Sequence, residues 1–563
     1  MRSAFPTHKQ VHPRPVVVIG FDGATFEILD RLVDAGRLPT FKHLIDTGAH
    51  GTLTTTIPPI TASAWTSFAT GKNPGKHGLI DFVVPRDSAY NVRPINSSDR
   101  RAKALWELAN EQGLKVGIIG VPITYPPEEV NGFMVSDFTT PSQSSEYTYP
   151  RSLKAELNDL VGQFPLIASD RAGSGSVEEF LQDLRSGEEA RHKAALHLLK
   201  TKEWDLFVFV FYISDMVQHT LMHIIDESHL DHDPSQAEQY RDMVWDLYTF
   251  MDSKLAEFVA ALPEETILLI MSDHGHGPAY FHLHVNTWLH NMGLLHFKTD
   301  GRTKLKYLMF RAGFTPLNMF RIAQRLGLGF LRGKVRHGRG RPFMKNLFLS
   351  LADVDWSTTK AFSVGSFGQI YVNLTERWEH GSVDHDEYEE VLRTIERAAQ
   401  SLEDRTLKRP VLESVYRRDE LFSGPFVDSM PDLVLSSTNL EYLCFGHSDF
   451  GANNVLTPIV GMTGHHRMNG ILMAWGPGVQ SGRTLQGARI VDVAPTILYA
   501  MGLSVPQDMD GRILTEVFSE DFLVNNPFRF DESSSLRFTE ESETAEEDEE
   551  LVKRRLEGLG YVT

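Results

Sequence analysis

The chain has 563 residues, 41% of them apolar and 23% charged, the balance of a soluble globular protein long enough for more than one structural unit. Its net charge of −19, from 55 basic and 74 acidic residues, excludes a molecule drawn as a whole to nucleic acid or anionic lipid. The single cysteine, Cys444, excludes an intrachain disulfide and agrees with a reducing compartment. No apolar run before Pro13 reads as a secretory signal, and runs such as 206–213 are too short to span a bilayer, so the expected location is the cytoplasm.

Short apolar, β-branched runs alternate with helical patterns, which predicts an α/β fold with a large, mainly parallel sheet covered on both faces. The first strand, Val16–Phe21, ends at Asp22. Pro58 and Pro59 then hold an extended approach to Thr61, read as the N-cap of a helix closed by Gly71. Helix Ala104–Gln112 and strand Lys115–Gly120 follow, then helix Val177–Thr201 and strand Leu206–Tyr212. Asp215 and His219 come next, four apart, so a helix there turns both to one face. His223 shares that face but is expected in a supporting position or toward solvent.

Helix Gln236–Leu262 leads to strand Thr266–Met271 and the sequence Asp273-His274-Gly275. A charged pair just past a fully apolar strand is costly unless something binds it, and the glycine lets the backbone turn away. His276, His282 and His284 are set aside as ligands. The remaining elements are strand Gln369–Val372, helix Tyr388–Leu402, strand Asp432–Leu435 and strand Ile471–Ala474, with His465 and His466 just before the last. Spacing does not choose between those two histidines.

Composition divides the chain into a core over 14–300, a basic cap insertion over 301–354, a second core part over 355–527 and an acidic tail over 528–563. Between Gly301 and Ala352 there are twelve Lys or Arg and no Asp or Glu. Met309–Leu331 is amphipathic through Leu317, Met319, Phe320, Ile322, Leu326 and Phe330. Such a segment suits an anionic membrane surface, or a cap whose Arg332, Lys334 and Arg336 attract an anionic substrate. Glu540–Glu550 holds eight acidic residues and reads as a solvated linker before a docking turn at Leu551, Leu556 and Leu559.

Asp22, Asp215 and Asp273 each follow a strand at its carboxyl end, where open sheets gather their sites. Singly, each candidate has a plainer role: Asp22 capping a turn, Thr61 capping a helix, Asp215 and His219 a surface pair. Together, carboxylates and imidazoles suit two divalent cations, and Thr61 stands where a nucleophile would, at a helix N-terminus that favours a bound phosphate.

In this order Asp22, Thr61, Asp215 with His219, Asp273-His274 and His466 resemble the alkaline phosphatase superfamily, specifically its type I phosphodiesterase/nucleotide pyrophosphatase branch. The likeness runs from about Pro15 to Leu514 and takes in Thr70–Leu79, Asp492–Tyr499 and Asp510-Gly511. Within that branch the chain is similar to a group described as predicted phosphohydrolases or phosphomutases. The resemblance implies a large, mostly parallel sheet between helices. It implies one metal held by Asp22, Thr61, Asp273 and His274, and another held by Asp215, His219 and His466. His466 is preferred to His465 because the family histidine precedes an Arg-x-x-Gly lead into the strand. Zinc is the expected metal and manganese the alternative.

The implied activity is cleavage of a small phosphorylated substrate through a phosphothreonine on Thr61, with a phosphomutase as the alternative and a non-catalytic binding protein as the remaining rival. No nucleic-acid partner is expected. Two departures narrow the substrate. Phe82 stands where nucleotide pyrophosphatases have an asparagine, and Thr61-Ala62-Ser63-Ala64-Trp65 lacks the Cys/Ser-x-Pro-x-Arg context of sulfatases.

Overall fold

A computed structural model describes residues 13–86, 90–169, 175–325, 347–446, 450–532, 534–537 and 545–559. Arg332, Lys334 and Arg336, together with Leu326, Phe330 and residues 540–544, lie outside the described residues.

The central sheet has nine strands: β1 Val16–Phe21, β2 Ala49–Thr54, β3 Val116–Ile119, β4 Gly132–Val135, β5 Thr148–Tyr149, β6 Leu206–Phe211, β7 Ile267–Met271, β8 Asn469–Trp475 and β9 Arg483–Arg489. Their order is β9-β2-β8-β7-β1-β6-β3-β4-β5. The middle five, β7-β1-β6-β3-β4, are mutually parallel, and β8 joins antiparallel to both β7 and β2. Every residue of β1, β6 and β7 is buried, as strands covered on both faces must be. The helices that flank the sheet include α1 Thr61–Thr70, α2 Val177–Thr201, α3 Ile213–Ile225 and α4 Pro234–Ala261. Thus the expected α/β fold, a large mostly parallel sheet between helices, is the fold observed.

Register brings the functional termini together. Phe21 of β1 pairs with Phe211 of β6, and Gly20 pairs with Met271 of β7, so all three strands end at one level. Asp22, the start of α3 and Asp273 therefore emerge side by side.

Two expected strands belong elsewhere. Gln369–Val372 and Leu433–Ser437 pair antiparallel within a separate four-stranded sheet that also holds Ala361–Ser363 and Leu412–Arg417. Their apolar residues feed a second core with Val391, Leu392 and Ile395 of the helix His385–Gln400, so they had a buried face without joining the main sheet. The basic segment contributes α5 Gly301–Arg311 and α6 Pro316–Arg325. Lys306 of α5 is anchored to Asp353 at 2.7 Å.

The tail also differs from expectation. Glu546–Leu559 forms a helix, α7, whose first turn is built from the acidic residues read as linker. Acidic side chains favour a helix N-terminus, and Val552 and Leu556 bury against the body. Lys553 Nζ donates to Val92 O (2.9 Å) and Arg555 Nη1 to Phe138 O (2.9 Å). Among the described residues no helix is long and apolar enough to cross a membrane.

Candidate active site

The turn after β1 is held from three sides. Asp22 N donates to Phe211 O (2.9 Å), Ser214 Oγ to Asp22 O (2.7 Å) and Gln218 Nε2 to Gly23 O (3.0 Å). Gly23 N reaches Asp273 Oδ1 at 3.3 Å, which ties the ends of β1 and β7. Gly275 serves a purpose other than the sharp turn expected of it. A Cβ there would stand 2.0 Å from Asn469 O, so only glycine lets this backbone pass β8.

Thr61 is the first helical residue of α1, and Ile60, in extended conformation, occupies the N-cap. The hydroxyl is therefore not a helix cap. Thr61 Oγ1 lies 3.1 Å from His274 Nε2, fully buried. At the other end of α1, Gly71 closes the helix in the left-handed region (φ 66°), as its position predicted.

The structure brings all seven sequence-derived candidates together. The ligand atoms of Asp22, Asp273 and His274 lie within 4.8 Å of one another, and so do those of Asp215, His274 and His466. His274 Nε2 is 3.3 Å from Asp273 Oδ2 and 3.5 Å from Asp22 Oδ1. Around Asp215 Oδ1 stand His219 Nε2 at 3.2 Å and His466 Nε2 at 3.6 Å. The rings of His274 and His466 stack at 3.5 Å, joining the two groups.

The tautomers follow from the acceptors. His219 Nδ1 donates to Gly464 O (2.9 Å), His274 Nδ1 to Gly275 O (2.9 Å) and His466 Nδ1 to Pro59 O (2.7 Å). A carbonyl only accepts, so each Nδ1 carries hydrogen and each Nε2 presents its lone pair inward, the arrangement of metal-bound histidines. His219 Nε2 and His466 Nε2 are 3.1 Å apart, so two lone pairs face each other and need a cation or a proton between them. Asp22 Oδ1 and Asp273 Oδ2 are buried and accept no hydrogen bond. Donor chemistry, tautomers and unsatisfied oxygens all fit divalent cations.

Electrostatics agree. Burial, then the neighbouring Asp273 and Asp215, raise the Asp22 carboxyl well above its usual range. Burial, with Asp215 adding to it, pushes Asp273 up to about 6 against the opposing pull of His274. Burial and adjacent imidazoles hold His466 and His465 well below the usual histidine range, which keeps them neutral. Burial works the same way on His219, but Asp215 outweighs it and leaves His219 raised.

Three further residues enter the site. His465 accepts from the His466 backbone N–H at Nδ1 (2.6 Å) and faces the ring of Phe367 at 4.6 Å. Phe367 sits in the loop before Gln369–Val372, so the second sheet roofs the histidines, and nothing local in sequence announced it. His276, set aside from sequence, stands 3.7 Å from Asp215. Phe82, by contrast, is fully buried against Phe138 and belongs to the core.

A model of the family described as type I phosphodiesterase / nucleotide pyrophosphatase matches residues 16–448. Among solved structures, the chain is similar to phosphonoacetate hydrolase from Sinorhizobium meliloti 1021 in complex with phosphonoformate. The identity is 16% and the TM-score 0.52, covering 87% of this chain and 96% of that one. The same enzyme in complex with phosphonoacetate gives a TM-score of 0.51 at 16% identity, with the same coverage of both chains. Human ectonucleotide pyrophosphatase / phosphodiesterase 5 is 12% identical with a TM-score of 0.48, covering 90% of this chain and 100% of that one. At 16% identity the likeness to the hydrolase is one of fold. No curated protein matches the chain.

Proposed function

Since the chain belongs to the type I phosphodiesterase/nucleotide pyrophosphatase family of phosphoester hydrolases, we propose that it cleaves phosphate esters in two displacements, with Thr61 as the transient phosphoryl carrier. The observation that carries this reading is the Thr61 hydroxyl, buried at the N-terminus of α1 and 3.1 Å from His274 Nε2 rather than capping its helix. Asp22, Thr61, Asp273 and His274 would hold one divalent cation, and Asp215, His219 and His466 the other. When bound, such a pair acidifies a hydroxyl and neutralises charge gathering on a phosphoryl group. Zinc suits this donor set, and manganese is the alternative.

In the first displacement Thr61 Oγ attacks phosphorus in line, the bond to the leaving oxygen breaks, and the Thr61 proton is lost to solvent. Free N–H groups at the start of α1 donate to the phosphoryl oxygens. In the second displacement water attacks phosphorus, the bond to Thr61 Oγ breaks, and a proton given up by that water restores the Thr61 hydroxyl. Turnover in ¹⁸O-water distinguishes this course from a mutase. Hydrolysis places the label in released phosphate, and a mutase leaves product unlabelled. The substrate class is tested by a panel of aryl monoester, aryl diester, nucleotide, sugar phosphate and phospholipid headgroup, on protein of measured metal content.

Helices α5 and α6 support contact with an anionic phospholipid surface. Leu305 and Leu308 are exposed on one face of α5 beside exposed Lys304 and Arg311, and Met319 and Ile322 are exposed on α6. Aliphatic side chains among cations suit an anionic bilayer, and a second copy of this face would be repelled by its own charge. Co-sedimentation of the full chain with phosphatidylcholine vesicles, with and without phosphatidylglycerol, tests this. Binding that requires phosphatidylglycerol and is lost in Leu305→Ser/Leu308→Ser supports it, and binding to neither vesicle refutes it.

A further inference from the structure

His276 is the second residue of the short strand Gly275–Pro278 and lies directly opposite His466 in Gly464–Arg467. Its side chain is fully buried, and neither ring nitrogen makes a hydrogen bond. Nε2 is 3.7 Å from Asp215 Oδ1, and the ring stands edge-on to His219 with centroids 4.6 Å apart. Ligand atoms of Asp215, His219 and His276 all lie within 4.8 Å of one another.

A buried imidazole with both nitrogens unsatisfied is costly, because it gave up two hydrogen bonds to water and gained none. Several other buried histidines here are held by hydrogen bonds. His77 Nε2 meets Ser67 Oγ at 2.9 Å, His284 Nε2 meets Thr457 Oγ1 at 2.9 Å, and His219, His274 and His466 each donate from Nδ1 to a carbonyl. His276 packs as tightly as these without a protein partner, and what it faces is Asp215. The chemistry that satisfies an imidazole lone pair beside a carboxylate and a second inward lone pair is a cation.

We infer that His276 is a further protein ligand of the cation held by Asp215, His219 and His466, giving that site four protein donors. This rests on the two-cation reading above. The consequence is a matter of coordination number. Three protein donors leave a tetrahedral zinc one position for substrate, whereas four fill the tetrahedron. A site with four donors that still admits a phosphoryl oxygen selects a first-row divalent ion at ease with five or six ligands, such as Mn²⁺ or Co²⁺, over Zn²⁺. The other site already has four protein donors in Asp22, Thr61, Asp273 and His274, so His276 makes the two sites alike in donor number.

The test uses the metal-stripped full chain titrated with Co²⁺ and followed by visible absorption, and with Mn²⁺ and Zn²⁺ followed by calorimetry. The comparison is with His276→Leu and His276→Gln, and with His466→Leu as the variant that loses an expected ligand. Wild type should bind two Co²⁺ with weak absorption bands of five-coordinate type. His276→Leu should shift one site to the intense bands of a tetrahedral ion and weaken Mn²⁺ there by tenfold or more, with a smaller change for Zn²⁺. His276→Gln should recover part of the loss. A folded His276→Leu protein, its near-ultraviolet circular dichroism unchanged, with wild-type spectra and Mn²⁺ affinity overturns the inference and leaves the two-cation reading standing. A wild-type chain that binds no cation overturns both.

Discussion

Gly20 of β1 lies against the indole of Trp65 in α1, so closely that a Cβ on Gly20 would be 2.4 Å from Trp65 Cη2. Gly20 and Asp22 share one side of the strand, and Trp65 and Thr61 share one face of the helix. The contact that docks α1 on β1 therefore also sets Thr61 beside Asp22. Gly20→Ala should push the helix outward, cost about 1–3 kcal/mol of stability and reduce kcat by roughly tenfold or more through misplaced Thr61. Chemical denaturation and steady-state kinetics check both. An alanine variant with unchanged kcat would separate the helix contact from the chemistry.

Thr61→Ala removes the attacking oxygen while leaving Asp22, Asp273 and His274 in place. Turnover should fall by about a thousandfold or more, and metal content measured by mass spectrometry should stay close to wild type. Near-normal turnover would take Thr61 out of the reaction.

Glu188 and Arg191 form a fully buried pair at 3.0 Å beneath the start of α3. Arg191 Nη2 donates to Val210 O (2.7 Å) and Glu188 Oε2 accepts from Tyr212 N (3.2 Å), so the pair pins the end of β6 just ahead of Asp215. Glu188→Ala strands a buried guanidinium and should cost about 3–5 kcal/mol. Thermal and urea unfolding measure it, and a cost below about 1 kcal/mol would show that water reaches Arg191.

Stability should depend on pH in a direction set by buried carboxyls. Burial pushes Asp81 up to about 6, although Ser366 N, Phe82 N and Gln369 Nε2 all donate to it. Asp273, also near 6, and the raised Asp22 act alike in metal-free protein. Each holds its proton more tightly folded than unfolded, where about 3.9 is usual. For Asp81 and Asp273 the contribution is therefore complete below about 4 and is lost as pH rises through about 6, and Asp22 acts in the same direction. The Tm of chelator-treated protein should drop by a few degrees between about pH 5 and 7. Added Zn²⁺ or Mn²⁺ should restore more at pH 7.5 than at pH 5, since cations and protons compete for Asp22 and Asp273. Differential scanning fluorimetry reads both; equal metal shifts at the two pH values would contradict the competition.

What the sequence disclosed follows from where its signals were strong. Val16–Phe21, Leu206–Phe211 and Ile267–Met271 are apolar or glycine throughout and each is followed within a few residues by an aspartate, so the middle of the sheet and three of the ligand candidates could be read together. Thr61 was legible as a helix start, but its offset from the N-cap depends on Ile60 backbone geometry that composition does not encode. The edge strand β9 and its neighbour β2 mix exposed polar residues with glycine and carry no clear run. Gln369–Val372 looked like a main-sheet strand because a buried strand has the same composition in any sheet. Phe367 and His276 reach the site through pairings that join residues far apart in the chain, which no local pattern reports.

Acid quenching during turnover of an aryl phosphate ester, followed by peptide mass spectrometry, bears most directly on the role given to Thr61. A phosphoryl mass increment on the peptide carrying Thr61, formed and lost at rates compatible with kcat and absent from Thr61→Ala, is the predicted result. Steady turnover with that peptide unmodified at every time point, or with the increment on another residue, would contradict it.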